Sequence, residues 1–283
     1  MKNESAMATQ EDDDDEINPF TTVLNDQDHH EQQPNSLTTV HDGAPEQQSY
    51  SLLSIESTVV IRQLPSEGLS FQLWPAATAL ISLLDSYRSS PSTSPLSAAF
   101  SGSQRQLRIL ELGSGTGIVG IVAAATLGGN VTITDLPHVV PNLQFNKDAN
   151  KEVITSNGGA VTVAALRWGN VDDVAEIGRD FDVVLASDVV YHDHLYEPLL
   201  ETLRFLLLGF EEEKEMKKKK KEKETVFVMA HLKRWKKESA FFKKAKKLFD
   251  VDVLHTCAPS DRARVGVVVY RFVPKGLIAP SEV

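Results

Sequence analysis

The sequence predicts an α/β fold: a seven-stranded, mostly parallel sheet with helices on both faces, an antiparallel C-terminal strand and a short N-terminal β-hairpin. Two observations carry this. Between Leu107 and Met229 short apolar runs alternate with segments of helical period, and such alternation implies parallel strands wrapped by helices. Beyond Ala240 the order changes: two strand-like runs, Val251–His255 and Val265–Val273, follow one another with no helix between them, which implies an antiparallel pair.

The elements follow in chain order. Leu52–Ile55 and Thr58–Leu64 alternate well enough for a hairpin. Pro75 is a good first helical residue, and Ala76, Ala77, Leu80, Leu83 and Leu84 recur at helical spacing as far as Tyr87. Residues 89–104, rich in Ser and Pro, read as a loop. The core then alternates: a strand Leu107–Leu112, a helix from Val119, a strand Val131–Asp135, a helix Val139–Asn150, and strands Val161–Leu166 and Asp182–Ala186. A helix Tyr196–Leu208, a strand Thr225–Met229 and a helix Ala240–Leu248 precede the final pair. In such sheets ligands sit beyond the carboxyl ends of the strands, where Gly113, Asp135, Trp168 and Asp188 all fall.

The stretch Arg108-Ile-Leu-Glu-Leu-Gly-Ser-Gly-Thr-Gly117 runs an apolar strand into three glycines at alternate positions. Without a Cβ, glycine lets the chain turn sharply and bring backbone N–H groups against a nucleotide-type ligand. Gly115-Thr-Gly117-Ile-Val-Gly120 also satisfies the GxGxxG pattern of dinucleotide enzymes, with Asp135 about 20 residues on where a ribose-binding acid belongs. By that pattern alone a pyridine dinucleotide and S-adenosylmethionine are both admissible. The wider frame Glu111-x-Gly113-x-Gly115-x-Gly117, with an acid ahead of the glycines, suits S-adenosylmethionine. That cofactor has no pyrophosphate and carries positive charge, to which Glu111 and Asp135 offer negative potential. The frame resembles motif I of the seven-strand, S-adenosylmethionine-dependent methyltransferases.

Three further segments extend the resemblance. Phe181-Asp-Val-Val-Leu-Ala-Ser-Asp188 is an apolar strand ending on an acid, with Tyr191 three positions later; Trp168-Gly169 follows the third strand; Trp74 precedes the first helix. In this order the four motifs resemble the methyltransferase-like lysine methyltransferase family over Leu52 to Val273. The resemblance implies a Rossmann-like sheet, S-adenosylmethionine as cofactor and a lysine of a protein as acceptor. It implies that Asp188 and Tyr191 are catalytic, Asp188 orienting the amine and Tyr191 walling its channel. It also implies a cofactor pocket drawn from Trp74, Glu111, Gly113, Ser114, Gly115, Gly117, Asp135, Leu136, Trp168 and Ser187. Asp135 takes the ribose hydroxyls, and Trp168 lies beside the adenine. Gln72 lines the same mouth or faces solvent, and His231, Arg234 and Trp235 shape the substrate mouth or begin a surface helix. Asp182, at the start of its strand, reads as a turn residue.

Motif I and its partners leave the acceptor open, so a small-molecule N-methyltransferase on the same fold and a non-catalytic S-adenosylmethionine-binding scaffold stand as alternatives. An NAD-dependent oxidoreductase fits less well, because no Tyr-x-x-x-Lys pair occurs. His192 and His194 project to opposite sides of an extended chain and lack a third ligand, so no metal is expected.

Composition bounds the rest. Residues 1–50 hold twelve acidic side chains against one lysine, including the run Glu11–Glu16, and read as a disordered acidic tail ahead of a domain over 51–283. The chain's formal charge of −10 is therefore mostly the tail's and argues neither for nor against a nucleic-acid partner of the fold; a protein substrate is expected rather than nucleic acid. The charged insert 211–224 reads as a solvated helix extension or disordered loop, with a basic address for the nucleus or an RNA contact as the alternative, which its interleaved glutamates weaken. One cysteine, Cys257, excludes an internal disulfide and reads as a buried small residue in a reducing compartment. No apolar run is long enough to span a bilayer. The expectation is a monomer in the cytoplasm, with the nucleus as a second location.

Overall fold

The central strands form because their residues are apolar on both sides, as a sheet covered on both faces demands. In the computed structural model, which describes residues 45–100, 105–209, 225–259 and 266–275, β3 (Arg108–Leu112) and β6 (Val183–Ser187) lie side by side at the sheet's centre. The chain opens with β1 (Glu46–Leu52) and β2 (Ser57–Gln63), followed by α1 (Pro75–Ser89) and α2 (Ser97–Phe100). After β3 come α3 (Ile118–Leu127), β4 (Asn130–Asp135), α4 (Val140–Ala149), α5 (Lys151–Ser156), β5 (Ala160–Ala165) and α6 (Val171–Ile177). After β6 come α7 (Tyr196–Leu207), β7 (Val226–Leu232), α8 (Ser239–Leu248), β8 (Phe249–Thr256) and β9 (Val267–Pro274).

The seven strands stand in the order β5-β4-β3-β6-β7-β9-β8, and β9 runs antiparallel to both its neighbours. Alternate residues of a strand feed opposite cores. Ile109, Val183 and Leu185 pack with α1, α3, α4 and α5, whereas Leu110, Leu112, Val184 and Ala186 pack with α6, α7 and α8. Helix α3 is buried over Ile118–Thr126 because it is apolar all round. Strand order reverses at β3, and its two neighbours β4 and β6 send their following loops apart. The crevice this leaves beyond their carboxyl ends is the usual place for a ligand in an open α/β sheet.

The hairpin differs from expectation. Its first strand starts at Glu46, inside the expected acidic tail, while Leu53–Ile55 form a 3₁₀ turn. Polar Glu46–Ser49 are exposed and carry no apolar alternation; pairing to β2, from Glu46 with Gln63 to Leu52 with Ser57, makes them a strand. Two other departures arise from burial and from capping. Helix α2 forms inside the Ser/Pro loop because Ala99 and Phe100 find buried sites. Helix α6, unforeseen, buries only Val174 and starts where the Asn170 side chain accepts hydrogen bonds from the backbone N–H groups of Asp172 and Asp173. Asp182 is buried and more than a turn residue: it accepts hydrogen bonds from the Arg108 backbone N–H at 2.8 Å and from the Arg105 guanidinium at 2.9 Å. Residues 1–44 of the expected tail and the charged insert 211–224 lie outside the described residues.

The hairpin is fastened by three asparagines spaced four apart along α4 and just past its end. The side-chain oxygens of Asn146 and Asn150 accept the backbone N–H groups of Arg62 and Val60, each at 2.8 Å. Their amides donate to the carbonyls of the same two residues, at 3.1 and 2.7 Å. Asn142 accepts from Arg62 Nε at 2.9 Å. Asparagine side chains thus take the place of a neighbouring strand, and Asn146 also donates to the Thr116 carbonyl of the glycine loop at 2.9 Å. Asn146→Ala removes several partners of buried backbone groups at once. It is expected to lower stability by about 2–3 kcal/mol, read as an earlier urea midpoint; an unchanged midpoint would show the anchoring to be idle.

Candidate active site

A cavity of about 700 Å³ opens at the carboxyl ends of β3, β4 and β6, within the range of small-ligand sites. Its floor is the loop after β3. Gly113 and Gly115 lie on its wall with φ of +60° and +56°, a region that side chains with a Cβ rarely adopt. At Gly113 the added Cβ would stand 2.9 Å from Trp168 Cζ2 and 3.1 Å from Val189 Cγ1, so the indole edge already rests against the bare backbone.

The loop is tied to β4. Ser114 N–H donates to the Thr134 carbonyl at 2.9 Å, and Ser114 Oγ accepts from Thr134 N–H at 3.0 Å. Asp135 ends β4 and lines the cavity while its carboxylate accepts Gly115 N–H at 2.8 Å and Leu136 N–H at 2.7 Å. Burial raises its proton affinity, and these two N–H groups act against that rise.

Two expected cofactor residues do not reach the wall. Gly117 caps α3 with φ +81°, its missing Cβ leaving room for Leu143. Glu111 is fully buried beneath the loop, where Oε2 accepts Gly120 N–H at 2.9 Å. Burial pushes its carboxyl up to about 8, with the nearby Asp135 charge adding to the rise. At neutral pH Glu111 is therefore mostly protonated, a brace for the helix start that supplies little negative potential to the ligand.

Trp74, Leu136, Trp168 and Ser187 all line the cavity, as does Gln72. Trp74 is held at the start of α1 by its indole N–H, which donates to the Leu69 carbonyl at 3.0 Å. Leu136 is 42% exposed, an apolar surface left open beside Asp135.

Asp188 and Tyr191 share the same cavity. Tyr191 is half-buried, and burial together with the charge of Asp135 raises its phenol. Asp188 departs from what a chain end at a strand requires: its φ is +59°, unusual for a residue with a side chain. Its carboxylate is gripped by Arg234, whose two terminal nitrogens donate at 2.9 Å to Oδ1 and 2.6 Å to Oδ2. Arg234 and Trp235 line the cavity, and Trp235 also caps a 3₁₀ turn, Lys236–Glu238, that leads into α8, so the segment both faces the mouth and begins a helix.

His231 is different. It belongs to β7, is fully buried, and sits behind Asp188, with Nδ1 3.8 Å from Asp188 Oδ1 and Nε2 3.1 Å from Glu238 Oε2. The His192 and His194 rings stack with centroids 5.3 Å apart rather than pointing to opposite sides, because a 3₁₀ turn at Asp193–Leu195 replaces the extended chain. Among the described residues no group of three or more His, Cys, Asp or Glu is placed to hold a metal ion. Cys257 is half-buried rather than buried.

The residues fit S-adenosylmethionine. The loop backbone at Gly113 and Gly115 lines the cavity, Asp135 offers acceptor lone pairs, and Trp168 and Leu136 present apolar surface of the kind an adenine covers. Among the described residues no helix is long and apolar enough to cross a membrane.

A family model described as lysine methyltransferase matches residues 54–248. The chain is 43% identical over 99 residues to EEF1A lysine methyltransferase 3 of Xenopus tropicalis, a match covering 35% of this chain and 41% of the relative. It is 34% identical over 167 residues to protein-lysine N-methyltransferase rrg1 of Schizosaccharomyces pombe, covering 57% and 51%. With protein N-lysine methyltransferase METTL21A of Danio rerio it shares 33% over 167 residues, covering 59% and 66%. The chain thus spans about half the length of the curated relatives it matches. With the glycine loop, Asp135 and Asp188 gathered around one cavity and the family model covering most of the described fold, the chain belongs to the lysine methyltransferase family.

Proposed function

We propose that this chain transfers a methyl group from S-adenosylmethionine to the side-chain amine of a lysine in a protein. The observation that carries the reading is the single cavity holding both the glycine loop, Gly113 to Gly115, and the pair Asp188 and Tyr191. S-adenosylmethionine, when bound, supplies an electrophilic methyl group and leaves as the neutral thioether S-adenosylhomocysteine.

The chain's residues hold and orient. Gly113 and Gly115 let the backbone meet the cofactor, and Asp135 accepts from ribose hydroxyls. Trp168 and Leu136 flank the adenine, and Trp74 and Ser187 close the pocket. At the acceptor side, Asp188 Oδ2 accepts from Arg234 and keeps a second lone pair for an amine N–H, which aims the nitrogen's own lone pair at the methyl carbon. Tyr191 covers the stem of the entering side chain with its ring and excludes water. The proton lost by the amine leaves through the open mouth.

Titration calorimetry with S-adenosylhomocysteine tests the cofactor half: a dissociation constant in the micromolar range is expected. Gly113→Ala forces a Cβ onto Trp168 at an unfavourable φ and is expected to weaken that affinity by about tenfold or more. Absence of heat with the wild-type chain would remove the reading. For the acceptor, tritium transferred from labelled cofactor in a cell extract is expected in a protein band on a gel; label confined to small molecules would overturn the protein-lysine assignment.

A further inference from the structure

Asp188 does not stand alone at the acceptor mouth. Arg234 grips both its oxygens, its guanidinium carbon lies 5.5 Å from the centre of the Trp74 ring, and the two ion-paired side chains are only 4% and 15% exposed. A two-pronged guanidinium on a carboxylate fixes direction as well as charge. The grip is itself held from behind. Glu238, 1% exposed, accepts Arg234 backbone N–H at 3.1 Å and meets His231 at 3.1 Å, while Asp188 Oδ1 also accepts Leu232 N–H at 3.3 Å. The left-handed φ of Asp188 is the cost of turning its side chain into this arrangement.

This geometry has a chemical consequence for a lysine acceptor. A free lysine amine titrates at about 10.4, so almost all of it is ammonium at neutral pH, and an ammonium has no lone pair to attack with. A lone carboxylate beside it would strengthen its hold on the proton; a carboxylate already neutralised by a guanidinium would not. The other groups facing this mouth are Tyr191 and His192 beyond β6, Asp135 at the end of β4, Arg167 beyond β5, and His231 and Glu238 behind the pair. Arg167 is committed to Asp173.

Resting on the methyl-transfer reading above, we propose that Arg234 is a positioning residue that aims the Asp188 carboxylate and cancels its charge, so that the acceptor lysine enters as the free amine. The pairing ties specificity to reactivity: the amine is oriented by an oxygen of Asp188 without being held as an ammonium.

The test uses the full chain, labelled S-adenosylmethionine and the extract protein that the wild type labels most strongly, with initial rates across about pH 6–9.5. Removing the charge by Arg234→Gln is expected to move the acidic limb of the profile up by about one pH unit. Arg234→Lys keeps a charge but loses the fork; it is expected to hold the limb in place and lower kcat about tenfold. Affinity for S-adenosylhomocysteine by calorimetry is expected to stay within about twofold in both variants, which shows that the fold and cofactor site persist. A Gln profile that superimposes on the wild type, a Lys limb that moves as far as the Gln limb, or a Lys kcat equal to the wild type would each overturn the role of Arg234. If Arg234→Gln does not fold, the Lys variant alone decides by its kcat. Absence of label transfer by the wild type would instead overturn the methyl-transfer reading itself.

Discussion

Replacing Asp188 with asparagine is expected to lower methyl transfer by about 10²-fold or more, while S-adenosylhomocysteine still binds within about twofold. Asparagine is nearly isosteric and, like aspartate, tolerates a left-handed backbone, so the φ of +59° survives the change. What is lost is the carboxylate. An amide offers one oxygen where the carboxylate offers two, and its nitrogen would meet Arg234 donor to donor. The amine then loses the acceptor that directs it. The disturbed ion pair adds a stability cost, since breaking a buried pair strands one charge, but Arg234 is 15% exposed and reaches solvent, which reduces that cost. Rates of label transfer measured beside calorimetric affinity check this; a variant with wild-type rate would remove Asp188 from the chemistry.

The second large effect concerns pH and stability. Glu111 holds its proton up to about 8 in the folded chain, against an ordinary value of 4.5. Between those two values the folded state binds a proton that the unfolded state has released, so stability falls as pH rises through the window and levels off above it. Glu111→Gln keeps an oxygen for the Gly120 N–H and has nothing to titrate. Its urea midpoint is expected to match the wild type near pH 5 and to exceed it near pH 8.5, by roughly 2–4 kcal/mol in unfolding free energy. Taking the difference between the two proteins removes every other titrating group from the comparison. Parallel midpoints across that range would mean that Glu111 is ionised in the folded chain.

Much of the site was legible because its parts are local. The glycines at 113 and 115, the acid closing β4 and the Asp188 to Tyr191 spacing each lie within a few residues at a strand's carboxyl end. An α/β sheet brings such ends together whatever the intervening helices contain. Trp74 and Trp168 were found only through family resemblance, since a tryptophan in isolation reads as core. Glu111 shows the opposite outcome: its type suggested charge for the ligand, and its complete burial makes it a neutral brace. Strand β1 and helix α6 were illegible in outline because neither has an apolar period; pairing with β2 makes the one and the Asn170 cap starts the other.

Strand order along the chain, the helices of apolar period and the glycine loop were determined by the sequence itself, since hydrophobic period and backbone permissiveness act over a few residues. Tertiary structure alone decided the pairing of Arg234 with Asp188, the asparagine hold on the hairpin and the protonation of Glu111. Each depends on burial and on partners tens of residues away in the chain. Charge and hydrogen-bond energies are set by the surroundings a side chain is folded into, and no spacing rule along the chain encodes them.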